Sequence, residues 1–309
     1  MTAFTELVGC ELPLQLAGMG GYTDPALIAA VCEAGGFGML GLGGAPAQFV
    51  EPILEAMTAA TDKPFGVNFL MPFLDRDAVS IAATRCRFVE FFYDDPDASL
   101  VELVHGGGAL AGWQVGSARE ARAAADAGCD VVIAQGTEAG GHVRGTKPLD
   151  AVLADVVSAV SVPVVASGGI GTADRVKAVL EAGASAARIG TRFLAAAESV
   201  AHPDYIAALI AASSDDTVIT TAFGVGWPDA PHRVLRSSLQ AAQAATEDVI
   251  GTMKMGPMDA PVMRLSPPWP QKDTTGNVAA MSMYAGTSVD AVTKRQPAAE
   301  IVAELCSKI

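Results

Sequence analysis

Positive charge is scarce in this chain: 20 Lys and Arg stand against 34 Asp and Glu, a formal charge of −14. That balance excludes a surface built for nucleic acid or for an anionic membrane. No basic residue precedes Lys63, so the N-terminal stretch lacks the charged region of a secretory leader. Cysteine is also thin, with Cys10, Cys32, Cys86, Cys129 and Cys306 odd in number, scattered, and free of any Cys-x-x-Cys pair. Neither a disulfide framework nor a metal site follows from them, and a reducing cytoplasmic location is expected. No apolar run reaches membrane-spanning length without an interrupting Gly, Pro or charge. What remains is a chain of 309 residues, 50% hydrophobic, enough for a large core and too apolar for disorder. Small molecules are the expected partners, with no nucleic acid and no membrane.

From Pro13 to Gly190, short apolar runs alternate with Ala-rich amphipathic segments. The runs are "LPLQLAG", "FGMLGL", "FGVNFL", "FVEFF", "LAGWQVG", "VVIAQG", "PVVASGG" and "AARIGT". Helical patterns lie between them at Asp24 to Ala34, Ser117 to Ala127 and Thr172 to Ala182. Each opens on an N-cap residue type and ends before Gly. Eight alternating units imply a parallel sheet buried on both faces and favour its closure into a (β/α)8 TIM barrel over an open doubly wound sheet. After Phe193 the alternation stops. "HPDYIAALIAAS" and "RVLRSSLQAAQAATEDVI" read as helices, followed by a Pro- and Met-rich stretch, Met253 to Pro270. The expected organisation is a barrel of residues 1–194 and 277–309 carrying an inserted, mainly helical substrate or lid domain at 195–276. A last helix, Ser288 to Cys306, closes the barrel.

Barrels of this kind place their chemistry at the carboxyl ends of the strands, and a phosphate site often follows strands seven and eight. "ASGGIGTADR" puts Ser167, Gly168 and Gly169 between a strand and a helix opening near Thr172. "RIGTRF" adds Gly190 and Thr191 one unit later. Backbone amides without side chains could approach a phosphate there; the bland alternative is that glycines make tight turns. Two nucleotide motifs fail. "GGHVRGTK" has Thr146 and Lys147 in the wrong order for a P-loop and Pro148 behind them, and "GGGALA" precedes a strand instead of following one.

The sixth run ends in "QGTEAGGHVRG". Gln135, Glu138 and His142 are therefore expected at the same mouth as the phosphate loops. Gly140 and Gly141 let the chain turn tightly against a flat ligand, and imidazole is the side chain best poised to handle a proton near neutral pH. His105, His202 and His232 read as structural. Arg144 reads as an anion ligand or a solvated rim charge, and Cys129 as core packing.

These segments, with "LAGMGGYTDPALIAAVCEAGGFGML" before them and "YAGTSV" after, resemble the FMN-dependent nitronate monooxygenases, formerly 2-nitropropane dioxygenases. The resemblance extends to their relatives, the FMN enoyl reductases and NADH:quinone reductases. It implies FMN as cofactor, with Ala17, Gly18 and Met19 along the flavin ring, Asn68 donating to it and Gln135 at its polar edge. Gly168, Gly169, Gly190 and Thr191 would take the phosphate, Tyr284 to Gly286 would return to the flavin, and His142 would be catalytic. Thr287 stands where the family often has Gln, and Val143 separates His142 from Arg144 where many members read His-Arg-Gly. The implied reaction is oxidation of an alkyl nitronate or nitroalkane by dioxygen to a carbonyl compound and nitrite. The alternatives are an NAD(P)H-dependent reductase of quinones or enoyl thioesters, and a flavin-free phosphate-ligand barrel. An aldolase of that last kind would want a strand-end lysine, which Lys63, Lys147 and Lys177 do not clearly supply.

Overall fold

The computed structural model describes residues 1–20, 24–255 and 258–309. All eight expected strands form: Leu14–Leu16, Gly38–Gly43, Phe65–Leu70, Phe88–Phe92, Leu110–Val115, Val131–Gln135, Val164–Ser167 and Ala186–Ile189. They pair in parallel, and the first strand lies beside the eighth. The first strand also bonds across to the start of the second, Leu16 N to Phe37 O at 2.9 Å and Phe37 N to Leu14 O at 2.8 Å. The sheet thus closes into a (β/α)8 TIM barrel. Its helices open as their caps dictate: Asp24 accepts from Ala26 N, Ser117 from Glu120 N and Thr172 from Arg175 N. After these three helices Gly35, Gly128 and Gly183 take φ of 90°, 96° and 101°. That left-handed turn explains the recurring Ala-Gly phrase, because a side chain there would be strained.

Side chains alternate across each strand, so the inward positions stack in layers. At the amino end Phe37, Phe88 and Ile133 pack with Phe4 and Val8 of the helix Ala3–Val8, which plugs the barrel. The middle layer is polar. Arg188 donates through Nε to Gln15 at 2.8 Å and through Nη1 to Glu90 and Gln114 at 2.8 and 2.7 Å, and its Nη2 also meets Glu90. Arg188 and Glu90 are 4% and 0% exposed, a buried ion pair whose lone pairs are largely satisfied.

Residues 195–276 differ from the sequence expectation. The helices Pro203–Ala211 and Arg236–Ala244 are present, yet the segment also holds strands Thr217–Thr220, His232–Leu235, Val249–Met255 and Met258–Met263. It is mixed rather than mainly helical. β-branched Val234, Val249 and Ile250 flank the short helix and favour extended chain. The Pro- and Met-rich stretch begins in the strand Val249–Met255 and then forms its antiparallel partner Met258–Met263, with Pro261 on the edge strand, where a missing donor is tolerated; Gly256 and Pro257 lie outside the described residues. The expected final helix is also shorter. A 3-10 turn at Thr287–Ala291 precedes the helix Ala298–Leu305, because Pro297 cannot sit inside a helix and Gln296 before it is extended, pairing with Ala196. Among the described residues no helix is long and apolar enough to cross a membrane.

Candidate active site

A cavity of about 460 Å³ opens over the carboxyl ends of the barrel strands. Every candidate site residue except Glu138 lines it: Ala17, Gly18 and Met19, Asn68, Gln135, Gly140 to His142, Ser167 to Gly169, Gly190, Thr191, Tyr284 and Gly286. They converge because each stands at or just beyond the end of a barrel strand, or in the segment that returns against them. Glu138 does something else. Its carboxylate accepts the Leu149 N–H at 2.9 and 3.1 Å, holding the start of the helix Leu149–Val157, where Pro148 offers no side-chain cap.

The loops after strands seven and eight carry the features an anion needs. Gly168 and Gly169 have φ of 117° and 66°, and a Cβ on Gly169 would fall 2.9 Å from Glu138 Cβ and from Thr287 Oγ1. The backbone there is held open by the absence of side chains. Thr191 Oγ1 accepts from Gly286 N at 2.9 Å, so its hydroxyl proton remains to be donated. Gln135 Nε2 donates to the carbonyl of His142 at 3.0 Å, leaving its Oε1 buried without a partner. An orphaned buried acceptor costs stability unless a ligand N–H meets it. Asn68 Nδ2 spends one N–H on Glu90 at 2.9 Å, and a second remains. These donors and the unpaired acceptor suit a ligand that carries both an anionic group and a polar ring edge, as a flavin nucleotide does.

His142 sits in a two-residue strand, Gly141–His142, that pairs antiparallel with His232–Leu235 of the inserted segment. On its other side His232–Leu235 meets the return segment, with Leu235 N donating to Met283 O at 2.8 Å and Val234 bridging Tyr284. Arg233 ties this strand down, donating from Nε and Nη2 to Thr137 O at 3.0 and 2.7 Å and from Nη1 to Thr217 Oγ1 at 3.0 Å. The inserted segment therefore fixes the position of the histidine. Burial, reinforced by neighbouring His232, pushes the His142 imidazole down to about 3. His232 is fully buried, with Nδ1 against Ala230 O and Nε2 accepting from Phe223 N, a structural role as its sequence context suggested. Arg144 pairs with Asp95 at 2.5 Å and lies 3.5 Å from Glu120, a rim network, and Cys129 is core.

Sequence reasoning missed the floor and the roof. Arg188 and Gln114 form the floor, and Phe73, Trp227, Trp269 and Gln271 roof the cavity. Trp269 Nε1 donates to Gly20 O at 2.9 Å, and Gln271 Nε2 has no partner. The floor residues were readable in principle, being inward positions of strands already recognised. The roof was not, since its placement depends on long-range pairing within the inserted segment.

Known proteins are similar to this chain in sequence and in fold. A dehydrogenase of (3aS,4S,5R,7aS)-5-hydroxy-7a-methyl-1-oxo-octahydro-1H-indene-4-carboxyl-CoA from Mycobacterium tuberculosis is 35% identical over 242 residues, 77% of this chain and 67% of its own length. FabK from Thermotoga maritima superposes with a TM-score of 0.82 at 28% identity, covering 100% of this chain and 96% of its own. A nitroalkane oxidase from Streptomyces ansochromogenes does so with a TM-score of 0.77 at 29% identity, covering 99% and 97%. The family model for nitronate monooxygenase matches residues 1–308. A match over nearly the whole chain shows the family: the chain belongs to the nitronate monooxygenase family of oxidoreductases.

Proposed function

We propose that the protein is an FMN-dependent oxidoreductase that oxidises alkyl nitronates with dioxygen to a carbonyl compound and nitrite. The observation that carries this reading is the union in one cavity of the strand-seven and strand-eight glycine loops with the unpaired Oε1 of Gln135. Gly168, Gly169, Gly190 and Thr191 would hold the phosphate, and Asn68 and Gln135 the ring's polar edge, while Gly141 leaves room beside it and Gly140 admits the close approach of Ala285 and Gly286. FMN, when bound, supplies the two-electron chemistry. Barrel residues 1–194 and 277–309 would carry the cofactor, and residues 195–276 would form the lobe over the substrate.

His142 is the group of this chain placed to meet the substrate. With its imidazole held down to about 3, it is neutral across ordinary pH and a weak base for a carbon-bound proton. It is better suited to donate one N–H to a nitronate oxygen, which favours the preformed nitronate over the neutral nitroalkane. His142→Ala, which removes the donor, should retain flavin and lose turnover by about 10² to 10³. Loss of flavin instead would make the residue structural.

A second reading, an NAD(P)H-dependent reductase of quinones or enoyl thioesters, draws on the roof. Phe73, Trp227, Pro268 and Trp269 are apolar, and Arg188, the charged side chain among the described lining residues, is already engaged by Glu90. A neutral, extended acceptor suits such a chamber. The purified protein should be yellow with a flavin spectrum. Turnover of a small nitronate under air, set beside anaerobic bleaching by NADH, decides between the two. Rapid bleaching without nitronate turnover would reject the first reading, and a colourless protein that does not take up FMN would reject both.

A further inference from the structure

A functional histidine is usually oriented by a hydrogen bond from one ring nitrogen to a carbonyl or carboxylate. His232 has such a bond from Nδ1 to Ala230 O, and its Nε2 accepts from Phe223 N. His142 has none from any described residue; only its backbone carbonyl is engaged, by Gln135. Something else must set the plane of its ring. Trp227 lies stacked on it, with ring centroids 4.0 Å apart and planes inclined by 23°. The other rings around it stand at steeper angles: Tyr93 at 5.8 Å and 87°, His232 at 5.2 Å and 59°, Tyr284 at 5.9 Å and 44°.

Trp227 is itself held from several sides. The edge of Tyr93 meets it at 4.7 Å and 72°, and that of Phe73 at 5.2 Å and 85°. Its backbone N–H donates to Gly224 O at 3.0 Å, and the neighbouring Val225 N donates to Leu265 O at 3.3 Å. Tyr93, at the end of the fourth barrel strand, takes φ of 82°, a strained conformation for a residue with a side chain. That strain sits where the chain turns the tyrosine ring onto both His142 and Trp227.

We propose that Trp227 is a positioning residue: where no described residue hydrogen-bonds the ring, its stacked indole sets the plane of the His142 imidazole and shields one face from water. The ring then meets a substrate by its edge. This rests on reading His142 as the group that faces the substrate. Tyr93, His232 and Tyr284 are the titratable groups against the imidazole, and the charges beyond them, Arg144 with Asp95 and Glu120, are engaged with one another. Burial and the second imidazole lower the proton affinity of His142, and no carboxylate offsets them. An indole face attracts a cation, so removal of the stack exposes which effect dominates.

The test is histidine NMR on Trp227→Phe and Trp227→Ala in the FMN-loaded protein, with His142 resonances assigned by His142→Asn. In Trp227→Ala the cross-relaxation contacts from the His142 ring protons to Tyr93 and Tyr284 should disappear. Its titration midpoint should rise toward the ordinary value of about 6.5. Trp227→Phe should restore both. Unchanged ring contacts in a folded Trp227→Ala protein overturn the proposal, whatever the midpoint does. If the alanine variant fails to fold, Trp227→Leu, which fills volume without stacking, gives the same contrast against Phe. Failure to take up FMN would count against the cofactor reading alone, since the same contacts are measurable without flavin.

Discussion

The barrel strands and the strands of the inserted segment obey different rules. Val131–Gln135 and Val164–Ser167 are buried at every position, whereas Thr217–Thr220 and Met258–Met263 are largely exposed or half-exposed. A strand covered on both faces is apolar along most of its length, so its own residues announce it. A half-exposed strand depends on its partner. The barrel supplies the frame, and the insert, through His232–Leu235, places the imidazole on that frame.

The largest expected effect lies inside the barrel. Glu90→Ala leaves the buried Arg188 guanidinium facing neutral Gln15 and Gln114, and should cost about 3–5 kcal/mol in urea unfolding. The rim pair of Arg144 with Asp95 is part-exposed, so Asp95→Ala should cost about 0–1 kcal/mol in the same measurement. Equal losses at the two sites would break the distinction between a frame built from within and a solvated rim.

Acid should strike next, and through the insert's seam. In the unfolded chain His142 titrates near its ordinary 6.5, but in the fold it is held down to about 3, and buried His232 is lowered in the same direction. A depressed histidine adds nothing to stability above 6.5, where both states are neutral. As pH falls from about 6.5 toward about 3, only the unfolded chain takes up the proton, and stability drops, on the order of a few kcal/mol in all. Denaturant midpoints for wild type and His142→Asn should therefore converge on acidification. A constant gap between them down to pH 4 would contradict the buried neutral ring.

Arg233→Met is a smaller and more local perturbation. It removes three hydrogen bonds to Thr137 and Thr217 and should cost about 1–3 kcal/mol, because buried acceptors lose their donor. Hydrogen exchange should speed up at His232–Leu235 and Gly141–His142 while the barrel strands stay protected. Uniform loss of protection would mean that the two regions unfold as one unit.

The same contrast explains what the sequence could reveal. The eight strands were legible because caps, apolar runs and left-handed glycines at Gly35, Gly128 and Gly183 agree locally. Gln135, His142, Gly168 and Thr191 were legible because position at a strand end fixes where they point. The bond of Glu138 was not legible, since nothing in "QGTEAGG" shows that its carboxylate accepts from Leu149 N–H, eleven residues on. Trp227 lay beyond local reasoning. It stands in a glycine-rich turn, "FGVGWPD", and meets His142 only because Val143 N bonds to Pro231 O at 2.8 Å and the two short strands pair. "RVL" before the short helix gave a signal of alternation, with Val234 fully buried and Arg233 half-buried, but the adjoining Ala-rich helix masked it.

The outer hairpin offers the mildest test of this division. Thr252 and Thr275 share a hydrogen bond of 2.8 Å between their hydroxyls, both exposed, where the strand Val249–Met255 meets Thr275–Gly276. Water can replace either partner there, so Thr252→Val should shift stability by no more than about 0.5 kcal/mol, with cavity and histidine unaffected. On the inner side of the same strand, Met253 is 5% exposed and packs with Phe223, Ile250 and Met281. Met253→Ala should cost about 2–5 kcal/mol by loss of contact. If the threonine change weighed as much as the methionine change, the insert would owe its stability to its edges rather than to its own small core, and the seam that holds His142 would have to be explained differently.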